Sequence, residues 1–178
     1  MMAVVFMAVA ILSTAMVGLV NAGKGQTKET YWFYVNGSIA EPEPYTRTWT
    51  TKGGVFQARS EPYSPDMSTI RLEVGGETIP IVDYSCLIDR TINLATGTGA
   101  IRISESIVVA YGTLEIQTAE TISGYDTSDY SIEGSFVGHG TGLLEGVKVQ
   151  GITWRVSDGG HIREGTVMGW PTLTPPTL

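Results

Sequence analysis

The chain has 178 residues, 42% of them hydrophobic and 16% charged, with 22 Gly, 8 Pro and one Cys. This suits a single domain of ordinary core size and excludes both a disulfide scaffold and an intrinsically disordered chain. The formal charge of -7 and a pI near 4.7 exclude a nucleic-acid binder, because Lys and Arg are scattered singly where phosphate neutralisation needs clusters.

The first element is a leader. Met1 to Gly23 carries no charged side chain, and Val4, Val5, Phe6, Ile11, Leu12 and Leu19 keep it apolar. Residues 1–22 are expected to be a signal peptide, since Val20-Asn21-Ala22 offers small or neutral residues where a signal peptidase reads. The run is also long enough to remain as an N-terminal membrane anchor. A buried core helix is disfavoured because no polar residues mark a solvent face. The chain is therefore expected to be secreted or extracytoplasmic, with membrane contact only through an uncleaved leader.

Residues 27–169 read as one domain of strands and turns. Short runs rich in Thr, Val, Ile, Tyr and Trp are cut at close intervals by Gly, Pro or Asp/Ser pairs. In chain order the runs are Thr30 to Val35, Thr46 to Thr51, Val55 to Ala58, Thr69 to Val74, Ile79 to Tyr84 and Thr91 to Leu94. Gly99 to Val109 follows, with Ile101, Ile103, Ile107 and Val109 on one parity. Thr113 to Ile122 then places Leu114, Ile116 and Ile122 on one face, after a tight connection at Ala110-Tyr111-Gly112. Tyr130 to Phe136, Val147 to Val149, Ile152 to Val156 and Ile162 to Met168 complete the set. Pro42, Pro44, Pro62 and Pro65 are expected between strands, where a missing N–H costs no ladder bond. Residues 170–178 form a Pro/Thr-rich tail unable to continue a central strand.

No helical periodicity is found after the leader, so the domain is all-β with roughly nine to eleven strands. Tight connections and one apolar face per strand favour an antiparallel β-barrel, with a β-sandwich as the alternative.

Ser135 to Gly151 contains Gly140-Thr141-Gly142, then Leu144, Gly146 and Gly151. This spacing resembles a late closing hairpin of the allene oxide cyclase and dirigent-like barrels and of related bacterial barrels. The resemblance covers about a tenth of the chain and implies a calycin-like barrel in which Gly140, Gly142, Gly146 and Gly151 are turn or close-approach residues. It carries no activity over, because no catalytic residue of those enzymes has a counterpart here.

The candidate chemistry is sparse. His139 and His161 belong to no zinc motif, and no nucleophile elbow, phosphate loop or dinucleotide fingerprint is present, so no cofactor is expected. Cys86 sits in an apolar run and reads as a buried thiol. Asp126 and Asp129, in the Gly124 to Tyr130 connection, have the hard oxygens a calcium site wants, but Asp-rich β-turns are common without metal. Glu105, Glu115, Glu120 and Glu133 lie on adjacent expected strands, though spacing alone cannot make a glycosidase pair of them. Glu105 breaks the parity of an apolar strand face. It is expected either as an interior acid or base or at a bulge that turns it to solvent.

Aromatic residues concentrate early. An alternating strand puts Trp32 and Tyr34 opposite Tyr31 and Phe33, so one pair faces away from the core or is covered by another segment. Together with Trp49, Trp32 and Tyr34 are candidate ligand or carbohydrate contacts. Asn36-Gly37-Ser38 is an acceptor sequon. The expected function is an exported β-barrel that binds a small apolar ligand or serves as a surface interaction module. The alternatives are a cavity enzyme of cyclase or isomerase type using Glu105, and a carbohydrate-binding β-sandwich.

Overall fold

A computed structural model of the chain describes residues 28–39, 46–156 and 160–171. The leader, Pro42, Pro44 and the tail beyond Pro171 lie outside them. The strands are β1 (Lys28–Val35), β2 (Gly37–Ile39), β3 (Arg47–Thr50), β4 (Val55–Pro65), β5 (Arg71–Val74) and β6 (Glu77–Ile79). They continue with β7 (Ile81–Asn93), β8 (Thr98–Val109), β9 (Gly112–Ser123), β10 (Ser131–Gly142), β11 (Lys148–Arg155) and β12 (His161–Met168). No helix occurs among the described residues.

Every pairing is antiparallel, and the order is β2-β4-β7-β8-β9-β10-β11-β12-β1-β5-β6, with β3 beside β4. Asn36 alone separates β1 from β2, so the two stretches of this order meet in one segment. β1 pairs with β12 on one side and β5 on the other, while β2 pairs with β4. The Asp66 amide donates to the Asn36 carbonyl at 2.9 Å across this join. The short strands prove to be parts of longer ones: β4 and β5 run successively along β2 and β1, and Pro80 alone parts β6 from β7. The result is an up-and-down meander whose last strand lies against its first. It is an antiparallel β-barrel, and the pairing path leaves no second facing sheet for a sandwich.

Period-two patterning explains which side chains point inward. In β8 the buried positions are Ile101, Ile103, Glu105, Ile107 and Val109; in β9 they are Leu114, Ile116, Thr118, Glu120 and Ile122. β-Branched side chains fit this pleated, half-buried surface. Tyr31 and Phe33 of β1 are buried, and Tyr31 lies against Phe136 with ring centroids 5.4 Å apart. Two facing glycines make room for these rings, since the register runs Tyr31, Gly165, Gly151, Phe136 across four strands. A Cβ on Gly165 would collide with the Gln150 carbonyl oxygen, and one on Gly151 with that of Glu164.

Several expectations change in detail. Among the described residues there are twelve strands, because long strands are interrupted. Gly151 lies inside β11, where it allows close strand approach, and not in a turn. Gly142 ends β10 and Gly146 lies in the β10–β11 connection, at φ of 67° and 90°. Gly140 ends the regular part of β10 against the Leu144 backbone. Pro62 and Pro65 fall within β4, not between strands. Pro62 sits just past a bulge between Ala58 and Glu61, at which Ser60 has a φ of 54°, and its registered neighbour is Leu87 of β7 alone. A bulge is where a strand tolerates a residue that cannot donate. Buried Glu61 holds Arg90 of β7 at this bulge through two contacts of 2.6 and 2.7 Å.

Candidate functional site

Glu105 is inside the barrel, 3% exposed, and the β8 register runs past it on both sides without a shift. Of the two positions considered for it, the bulge that turns it to solvent is the one the sequence favours; the structure corrects this, since the unbroken alternation of β8 keeps Glu105 inside. Its Oε1 accepts from Tyr84 Oη at 2.7 Å and from Arg163 Nη2 at 2.7 Å. Arg163 comes from β12, is 1% exposed, and stands 5.5 Å over the Phe33 ring. Its Nε reaches Thr118 Oγ1 at 3.5 Å. Burial opposes the charge of Arg163, but Glu105 and the other surrounding acidic groups outweigh it and hold the guanidinium protonated. Burial, then the Glu105 charge, pushes the Tyr84 hydroxyl far up, so Tyr84 stays a neutral donor.

A second node adjoins this pair. Glu120 of β9 is 3% exposed, accepts from Thr153 Oγ1 at 2.9 Å, and lies 3.6 Å from His161 Nδ1. The last distance is a close polar contact, too long for a hydrogen bond. Burial works against the Glu120 charge, but His161, Arg163 and Thr153 together outweigh it and lower its carboxyl below the usual value. The interior is thus polar at its centre.

Little space remains there. A chamber of about 20 Å³ is lined by Val35, Tyr63, Tyr84, Cys86, Ile88, Ile103, Glu105, His161 and Arg163. Ligand sites ordinarily occupy several hundred Å³.

The outer face of the same strands differs. A trough of about 710 Å³ lies across β8 to β11, floored by Ala100, Ala119, Gly134 and Ser135. Arg102 stands at one side, Ile152 and Trp154 at the other, and Thr121 and Glu133 complete it. The register explains the grouping, because Arg102, Ala119, Ser135 and Ile152 form one outward row and Ala100, Thr121, Glu133 and Trp154 the next. Both rows continue onto β12 and β1: Trp154 leads through Ile162 to Tyr34, and Ile152 through Glu164 to Trp32.

Trp32 and Tyr34 do face outward, half-buried and stacked with centroids 6.3 Å apart. Gly160 lies against the Tyr34 ring, so chain covers that member of the pair. Trp49 is elsewhere, on β3, with the Arg59 guanidinium 5.7 Å from its ring centroid. The structure therefore brings two of the three candidate aromatics together, and adds Trp154, which composition alone does not distinguish.

Asp126 and Asp129 are exposed in a bend stabilised by its own bonds, including Thr127 Oγ1 to the Gly124 carbonyl at 2.7 Å. Among the described residues no group of three or more His, Cys, Asp or Glu could hold a metal ion. Cys86 is buried, and burial, followed by the Glu105 charge, pushes its thiol far up. Glu120 had a legible signal, since it shares the parity of Leu114, Ile116 and Ile122; Arg163 likewise shares that of Gly165 and Val167. Their partners were not legible, because Arg163 and Glu105 lie far apart in the chain. Comparison with known proteins finds no matching family model, no matching curated protein and no matching solved structure.

Proposed function

We propose that this chain is an exported recognition module that binds carbohydrate through the outer face of its barrel. The observation that carries the reading is the trough across β8 to β11, with the Trp154 indole and Ile152 facing Arg102 over small residues. Saccharides combine apolar ring faces with dense hydroxyls. An aromatic plane with a guanidinium across the trough from it, together with the Glu133 carboxylate and the Thr121 and Ser135 hydroxyls, offers a partner to each. The Trp32–Tyr34 stack extends this surface two strand spacings away, at roughly 10 Å. The hairpin at Gly140 to Gly146 supports placing the domain among calycin-like barrels of the allene oxide cyclase kind. Residues 1–22 supply the export signal in this reading.

A glycan and polysaccharide binding screen with the purified domain tests it. Retention of a defined saccharide, weakened at least tenfold by Trp154→Ala with the fold intact, is the expected result. No retained saccharide, or unchanged binding by the variant, overturns the proposal.

A further inference from the structure

Among the described residues, Tyr63 Oη, Glu105 Oε2, His161 Nδ1 and Arg163 Nη1 are buried without a hydrogen-bond partner, and all four residues line the interior chamber. Such atoms are rare in folded proteins and each calls for a partner. The Glu105 and Arg163 side chains are each only 1% exposed, so bulk solvent does not supply one. This observation is independent of the outer trough.

Size and charge restrict the partner. A chamber of about 20 Å³ exceeds the roughly 10–15 Å³ needed for one water and falls far short of an organic ligand. A cation offers only donors and meets the Arg163 guanidinium; an anion offers only acceptors and meets the Glu105 carboxylate. A neutral molecule that both donates and accepts suits both groups.

We propose that the chamber is a binding site for a single water molecule bridging Glu105, Arg163 and Tyr63. The water donates to Glu105 Oε2 and accepts from Arg163 Nη1. One further hydrogen bond joins the water to the Tyr63 hydroxyl, which can either donate to it or accept from it. Tyr63 stays protonated for this role, since burial, followed by neighbouring Cys86 and Glu105, outweighs the opposing Arg163 charge and pushes its hydroxyl up to about 12. The site completes an ion pair whose carboxylate otherwise uses one oxygen alone. Tyr63 and Glu105 belong to β4 and β8, which flank β7, and Arg163 belongs to β12, so the water links three strands that do not pair with one another.

High-resolution electron density for the wild-type chain, with water-oxygen magnetic relaxation dispersion in solution, tests the site. The expected result is one density peak within hydrogen-bond distance of Glu105 Oε2 and Arg163 Nη1, and one long-lived internal water whose signal falls by at least half in Tyr63→Phe. Direct contact of these side chains with no peak between them overturns the proposal. So does a larger molecule in the chamber, or an unchanged relaxation signal in the variant. The wild-type density decides the matter even if Tyr63→Phe fails to fold.

Discussion

The two faces of the β8 to β11 wall carry similar chemical groups under opposite conditions. Inside, Glu105, Glu120 and Arg163 are at most 3% exposed and are held by Tyr84, Thr118, Thr153 and His161. Outside, Arg102, Thr121 and Glu133 border an open trough beside exposed Ile152. A charge taken out of water costs several kcal/mol unless its partners are fixed, roughly by the scale for buried ions. The interior polar groups therefore define one arrangement of the fold, whereas the outer ones retain their capacity to bind something else.

The strongest way to break this contrast is to remove the interior cation. Arg163→Met leaves Glu105 buried without its counter-charge and is expected to cost about 3–5 kcal/mol in urea unfolding. Replacing both partners, with Glu105→Leu added, should restore most of that loss, because the penalty comes from the stranded charge. A cost under about 1 kcal/mol for the single variant would show that the pair is well solvated.

The next effect is steric. Gly165→Ala drives a methyl group into the Gln150 carbonyl oxygen, and overpacking of this kind costs about 1–3 kcal/mol. Thermal unfolding indistinguishable from wild type would contradict the close approach of β11 and β12 beneath Tyr31.

A smaller effect depends on pH. The Glu120 carboxyl is lowered in the folded chain, so its contribution to stability is present above the unfolded value, about 4.3. The contribution is lost as pH falls through the lower folded value. Glu120→Gln should accordingly destabilise the barrel near neutral pH, and its difference from wild type should shrink at acid pH. A difference that grows on acidification would reverse the sign assigned to this group.

The smallest effect belongs outside. Ile152 is 58% exposed, so Ile152→Thr should alter stability by no more than about 0.5 kcal/mol. A loss comparable to that of Gly165→Ala would make the trough part of the core.

The sequence shows some of this directly and conceals the rest for identifiable reasons. Parity in β8 and β9 makes the inward isoleucines legible, and it marks Glu105 as an exception. The Tyr31–Phe33 and Trp32–Tyr34 alternation predicts two faces without saying which is inside. Arg163 decides that question only after folding, when it stands over Phe33 and reaches Glu105. The same holds for Gly151, whose role against Gly165 depends on strand register and not on local spacing. Trp154 joins the trough because β10 pairs it opposite Glu133, a relation with no local signature.

By itself, the sequence determined an all-β domain, its hairpin at Ala110 and Tyr111, and the odd carboxylate on an apolar strand. These follow from period-two alternation and turn chemistry, which act over a few residues. Only the tertiary structure decided that the last strand meets the first, that Glu105 meets Arg163, and that the outer face of β8 to β11 carries a trough. Those outcomes depend on which distant strands share a register, and on the cost of leaving a charge unpaired away from water.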